Sequence, residues 1–314
     1  MPETQASVHV PILVRPIVES LVAPFRALSD SAEPHYLVDC TLGGGGHTRQ
    51  FLEAFASEPR LSHHRVIAFD QDVEAIARAR KSFDAEIKRG SLEIHHSRFS
   101  EAVPFLDHRP CLALMADLGF SSDQIDDPAR GLSFRGEGPL DMRLDPSRGK
   151  SARDFLLQTN EIELEKILSE YGEERYSRRI AQSIVRARQE SKLPKTTFEL
   201  AELILRNVPP EARHGRIHAA TRTFQALRIL VNDELNELDC LLERVILLLK
   251  HGGRVAILSF HSLEDRKVKR LFKDRESLFR GLTKKPIEAD EDEIKTNPRA
   301  RSAKLRIAEK KADA

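Results

Sequence analysis

The chain has 314 residues, of which 40% are hydrophobic and 32% charged, with a formal net charge of +1. Such a length supports one large or two modest domains with real cores, and no apolar run approaches the roughly 18 residues of a membrane helix. The charge is uneven: residues 251–314 carry 17 Lys and Arg against 11 Asp and Glu, a basic segment that suits either an anionic partner such as RNA or a solvated surface.

The N-terminus, MPETQASVHV, lacks the basic start and apolar stretch of a signal peptide, so a cytoplasmic protein without a membrane segment is expected. Residues 37–41 read as a buried strand that runs into Gly43-Gly-Gly-Gly46, with a helical pattern from Thr48. Further strands are expected at 65–69, 92–95 and 111–116, with a helix over 72–83 between the first two. Strands alternating with helices argue for a parallel sheet covered on both faces. The alternation stops after Asp117. Residues 121–150 are rich in glycine and proline, and 151–208 read as purely helical, with capping boxes at Ser151/Asp154 and Thr196/Glu199 and a stop at Pro209-Pro210. One long amphipathic helix is expected over 221–249, ended by Gly252-Gly253, then a buried strand at 254–259 and a final edge or hairpin strand at 302–308. The expected architecture is a discontinuous α/β domain, 1–125 and 215–314, interrupted by a helical domain at 126–214.

Three cysteines, Cys40, Cys111 and Cys240, are odd in number and widely spaced in apolar surroundings, which reads as reduced core residues. His63-His64 and His95-His96 are adjacent pairs whose side chains leave a strand on opposite faces, and no CxxC occurs; a metal site is not expected.

A strand that breaks into a glycine turn and a helix invites a ligand. A dinucleotide would want GxGxxG, but Thr48 stands where the third glycine belongs. The alternative is S-adenosylmethionine, which has no pyrophosphate. Either cofactor wants an acid after the second strand to accept from ribose hydroxyls, and Asp70 is placed for that, or else caps the helix starting near Asp72. Asp117 ends the fourth strand on the same rim as Gly45 and Asp70. An acid followed by Gly119 and Phe120 suits a methyl acceptor: the acid accepts from an amine, and Phe120 either stacks on a base or packs in the core.

Beyond these features the chain resembles the RsmH (MraW) family along nearly its whole length. The resemblance rests on His9-Val-Pro-Ile-Leu, the segments 39–47 and 117–127, Arg130-Gly-Leu-Ser-Phe134, Gly138-Pro-Leu-Asp-Met-Arg-Leu-Asp145, Tyr171-Gly-Glu-Glu-Arg175, Ala220-Thr-Arg-Thr-Phe-Gln-Ala-Leu-Arg228, Ser259-Phe-His-Ser-Leu-Glu-Asp-Arg266 and Asn297-Pro-Arg-Ala-Arg-Ser-Ala-Lys304. It implies a Rossmann-like class I methyltransferase sheet with an inserted helical domain. The implied activity transfers a methyl group from S-adenosylmethionine to the exocyclic N4 amine of a cytidine in the decoding region of 16S ribosomal RNA, within the small subunit. Cofactor contacts carried over are Gly45, Gly46, His47, Asp70, Phe99 beside the adenine, Asp117 and Gln124. The chain departs from the family at Asp123, commonly proline, and at Phe120, usually a smaller aliphatic residue.

Methylating a delocalised amine calls for positioning first, and Asp117 is the expected acceptor. Carbon-5 methylation would need a cysteine nucleophile, but Pro110-Cys111 opens the fourth strand at its far end. Candidate RNA contacts are Arg175, Arg179 and Arg186 along one expected helix, with Arg178 and Arg188 nearby, and His261, Arg266, Arg299, Arg301 and Lys304 from the rim or basic tail. A nicotinamide-dependent dehydrogenase and a non-catalytic assembly factor are the competing readings.

Overall fold

A computed structural model describes residues 10–29, 33–106, 108–213, 215 and 217–312; His9 lies outside them. The chain divides into two compact units, Met1–Ser121 with Asn236–Ala314, and Ser122–Leu235.

In the first unit seven strands form one sheet: β1 (Tyr36–Asp39), β2 (Arg65–Asp70), β3 (Leu92–His96), β4 (Cys111–Asp117), β5 (Leu249–Ser259), β6 (Phe279–Gly281) and β7 (Lys304–Lys310). Their order is β3-β2-β1-β4-β5-β7-β6. The first five are parallel, while β7 runs antiparallel to both neighbours. The segment expected as a final edge or hairpin strand is therefore an interior strand, and the three-residue β6 takes the edge.

Side chains alternate between the two faces, as strand geometry requires. Leu37, Val66, Ala68, Ala113, Met115, Ala256 and Leu258 pack with Ile17, Leu21, Phe25, Phe51, Phe55 and Ile76 of the covering helices. Val38, Ile67, Phe69, Leu114, Ala116, Val255 and Ile257 pack on the other face with Leu106, Leu238, Leu242, Val245 and Val268. Burial on both faces explains the near-continuous apolar strands. Cys40 and Cys111 are buried in the second-face core and Cys240 is half-buried, all three as free thiols.

The helix Val14–Arg26 was not anticipated. It buries Ile17, Leu21, Val22 and Phe25, and the segment before it is anchored from far along the chain: Leu13 N–H donates to Glu293 Oε1 (2.7 Å) and Asn297 Nδ2 to the Val10 carbonyl (3.1 Å). No helix among the described residues is long and apolar enough to cross a membrane.

The expected single helix over 221–249 is two helices, Thr221–Asn232 and Glu234–Leu248, parted at Asp233, whose φ of 53° is left-handed. The first belongs to the helical unit, so that unit extends to Leu235 instead of 214. Its other longer helices are Ala152–Gln158, Glu161–Gly172, Ser177–Gln189 and Thr197–Asn207. Both expected capping boxes form: Asp154 N–H donates to Ser151 Oγ (3.1 Å) and Glu199 N–H to Thr196 Oγ1 (3.2 Å), each acid answering the cap residue's N–H. The glycine motifs of the loop hold the backbone close: a Cβ on Gly131 or Gly138 would lie 1.8 Å from the Pro139 or Pro128 carbonyl oxygen.

Gly172 ends its helix where a Cβ would stand 2.5 Å from the Arg222 carbonyl oxygen of the facing helix. Gly172→Ala should therefore destabilise the protein by about 1–3 kcal/mol, seen as a lower urea midpoint at unchanged slope. An unchanged midpoint would mean that the two helices part freely.

Candidate functional site

β2, β1 and β4 are neighbours, and each ends in an aspartate: Asp70, Asp39 and Asp117. Because the strands are parallel, all three leave the sheet at its carboxyl rim, with β1 at the point where the strand order reverses.

Asp39 is buried and fully engaged, accepting from Thr48 Oγ1 (2.7 Å) and the Thr41 N–H (3.0 Å); burial pushes its carboxyl up. Asp70 accepts from the Gly43 N–H (2.7 Å) and the Asp72 N–H (2.8 Å). Burial pushes its carboxyl up to about 6, against the pull of those two amides. The helix cap is Asp72, which accepts from the Glu74 N–H (2.9 Å); Asp70 is thus free of that role and instead shapes the glycine loop.

Asp117 is held by its backbone, its N–H donating to Thr41 Oγ1 (2.7 Å). Its side chain is 16% exposed. Burial pushes the carboxyl up to about 6, with His47 opposing and the charges of Asp39 and Glu264 adding to the rise.

His47 is buried at the start of the helix Gly46–Ser57. Its Nε2 lies 3.0 Å from the Ile12 carbonyl and its Nδ1 3.5 Å from Asp117 Oδ2. A carbonyl can only accept, so Nε2 carries the proton. The ring is thus fixed through one nitrogen and presents the other to the Asp117 carboxyl.

The glycines also have a packing reason. Gly45 has φ 77°, and a Cβ there would lie 2.5 Å from the Phe83 ring; one on Gly46 would lie 2.9 Å from Pro11. The chain's own packing demands these glycines, and the resulting tight curl points the Gly43 N–H at Asp70. The Arg49 guanidinium covers the same Phe83 ring at 4.5 Å. Sequence reading missed Pro11, Phe83, Thr41 and Thr48, the last two of which were signalled only as polar residues inside the motif.

Other expected residues fall as follows. Phe99 opens the short turn Phe99–Glu101 and packs against the second-face core. Phe120 is half-buried after Gly119, whose φ is 104°. His261 caps the helix Ser262–Asp274, where Glu264 is buried and accepts from the Phe260 N–H (2.9 Å). Arg266 is exposed on that helix, Arg299 and Arg301 lie in the turn Pro298–Ser302, and Lys304 opens β7.

Gln124, Arg175, Arg179 and Arg186 belong to the helical unit. Gln124 is buried in the short helix Ser122–Asp126. Arg175 precedes the helix Ser177–Gln189 instead of lying on it, whereas Arg179 and Arg186 share its surface. Arg188 donates to the carbonyls of Leu156, Leu157 and Thr159, a bracing role. Cys111 is buried at the opposite end of β4 with its thiol pushed up to about 12, so it is no nucleophile for this rim.

Known proteins are similar to this chain over nearly its whole length. A protein from Trichormus variabilis named "Ribosomal RNA small subunit methyltransferase H" is 47% identical over 308 residues, covering 97% of this chain and 92% of the relative. One of the same name from Sorangium cellulosum is 44% identical over 317 residues, covering 98% and 92%. The solved structure of an rRNA methylase from Streptococcus thermophilus aligns over 96% of this chain and all of its own at 12% identity and a TM-score of 0.44, too distant to bear on the site. The sequence pattern of the MraW methylase family matches residues 6–311. With a family match over nearly its full length, the chain belongs to the MraW methylase family.

Proposed function

We propose that the rim binds S-adenosylmethionine and that the protein methylates the exocyclic N4 amine of a cytidine in the decoding region of 16S ribosomal RNA, in the small subunit. The relatives' names support ribosomal RNA of the small subunit as the substrate class. The observation that carries the choice of cofactor is the row of acids, Asp70, Asp39 and Asp117, at adjacent strand ends. Burial raises the carboxyls of Asp70 and Asp117, with the charge of Asp39 adding to the rise, and a cationic ligand favours their charged forms. S-adenosylmethionine brings a sulfonium and an ammonium group to that place, whereas a dinucleotide would bring a pyrophosphate. Each Asp70 oxygen accepts one amide and keeps a second lone pair for a ribose hydroxyl. Gly45, Gly46, His47, Phe99 and Gln124 are the further cofactor contacts of this reading.

When bound, the cofactor supplies an electrophilic methyl group. The chain must then align an amine whose lone pair is delocalised into the ring. Positioning is worth roughly 7–11 kcal/mol, more than the hundred- to ten-thousandfold of a general base. Asp117 accepts the amine's hydrogen bond and then its proton, with His47 orienting the carboxylate and sharing that proton. Phe120 offers a face for the base. The helical unit, with Arg175, Arg179 and Arg186, and the sheet unit's His261, Arg266, Arg299, Arg301 and Lys304 hold the RNA by its phosphates.

Calorimetry should give binding of S-adenosylmethionine and none of NAD, with Asp70→Asn weakening it about ten- to a hundredfold, the value of a hydrogen bond to a charged group. Binding of NAD alone would overturn the cofactor assignment. Methyl transfer at limiting RNA should rise with pH through about 6 as Asp117 ionises, and Asp117→Asn should lose both that rise and at least a hundredfold in rate. Near-normal turnover by the variant would remove Asp117 from the chemistry. Stability runs the other way: the raised carboxyl gives the fold a proton-linked stabilisation that is full below about 4 and lost as the pH rises through about 6.

A further inference from the structure

The helical unit contains a cleft of about 410 Å³ lined by four arginines, Arg179, Arg186, Arg206 and Arg213. It lies between the helix Ser177–Gln189 and the end of the helix Thr197–Asn207. Among the described residues no acid, lysine or aromatic side chain lines it. Two of the arginines are spoken for: Arg206 sits 3.6 Å from Glu202, and Arg213 donates to the Val208 carbonyl at 3.2 Å. Arg179 and Arg186 are exposed and make no hydrogen bond or ion pair among the described residues. Arg206 and Arg213 escape a sequence reading because they come from two other helices, Thr197–Asn207 and the short Pro210–Arg213.

We propose that this cleft seats the phosphate backbone of an RNA strand. The inference rests on the reading of the protein as an RNA-modifying enzyme and gives the helical unit its share of that task. Gathering guanidinium groups in a concave surface concentrates positive potential that an anion must neutralise. A small-molecule pocket would be mostly apolar, and a protein partner would want an aromatic or Arg-matching acidic anchor site with a dry apolar floor; this lining has no aromatic side chain, and beside Val208, Pro209 and Pro210 it is polar and basic. All its bases are arginine, whose planar fork matches phosphate oxygens two at a time. Arg179 and Arg186 are two helical turns apart, roughly 10 Å along the axis, too far for a single phosphate to serve both. A strand with successive phosphates does so. With no aromatic platform the cleft holds the strand without reading its bases.

The test uses the full-length protein and a fluorescein-labelled single-stranded RNA of the decoding region, followed by anisotropy over a range of salt concentrations without methyl donor. Arg179→Glu with Arg186→Glu is compared with a charge-matched control elsewhere on the surface, Lys88→Glu with Lys166→Glu. The cleft variant should bind at least tenfold more weakly, and its log K against log salt slope should fall by about 1.4, two contacts at 0.7 each. The control should stay within twofold. Equal losses in both variants, no loss in the cleft variant, or no RNA binding by the parent protein would overturn the proposal. So would displacement of the RNA by millimolar inorganic phosphate at constant ionic strength, or by an acidic peptide of matched charge. Methyl transfer by the cleft variant should show a raised KM for RNA at unchanged kcat. A parent protein that binds RNA through the cleft yet transfers no methyl group would instead refute the chemistry and leave the cleft standing.

Discussion

Negative charge gathered at one edge of a parallel sheet is the constraint around which the sheet unit is arranged. Asp70, Asp39 and Asp117 end three neighbouring strands, so topology alone forces them together. Each is managed differently. Asp39 is buried and occupied by Thr48 and Thr41. Asp70 is held by two backbone amides of the loops on either side. Asp117 is left with the buried imidazole of His47. Gathering buried acids is costly, and in the proposed function a cationic ligand offsets that cost.

The glycine loop and the N-terminal segment serve the same end. Pro11 packs on Gly46 and the Ile12 carbonyl fixes His47, so the ring that faces Asp117 is oriented by residues 35 positions earlier. That segment is in turn pinned by Glu293 and Asn297 near the other end of the chain. The orientation of His47 against Asp117 therefore depends on contacts spanning almost the whole sequence. It is a clear reason for the sheet unit to be discontinuous: both ends of the chain complete the rim.

Much of this was legible in advance for identifiable reasons. Strands buried on both faces leave long apolar runs, and acids at their ends stand out against them, so β1, β2, β4 and β5 and the places of Asp70 and Asp117 at strand ends could be read from pattern. The helix Val14–Arg26 was obscured by Pro16 and Pro24, residues that argue against a helix locally and are overruled by burial of Ile17, Leu21 and Phe25. The break at Asp233 was invisible because one left-handed residue leaves the apolar stripe in phase, and aspartate tolerates that conformation. β6 has three residues, too few to leave an alternating pattern, so the sequence alone puts β7 at an edge. The reason for Gly45 and Gly46 lay in Phe83 and Pro11, partners that only the tertiary fold brings near.

In the proposed reaction the rim delivers a methyl group to an exocyclic amine without a covalent enzyme intermediate. Nucleoside mass spectrometry after incubating the protein and isotopically labelled S-adenosylmethionine with unmethylated small-subunit RNA tests this directly. Label should appear in N4-methylcytidine at one position of the decoding region. Label on carbon 5 of a pyrimidine, or no labelled nucleoside from either naked RNA or assembled subunits, would contradict it.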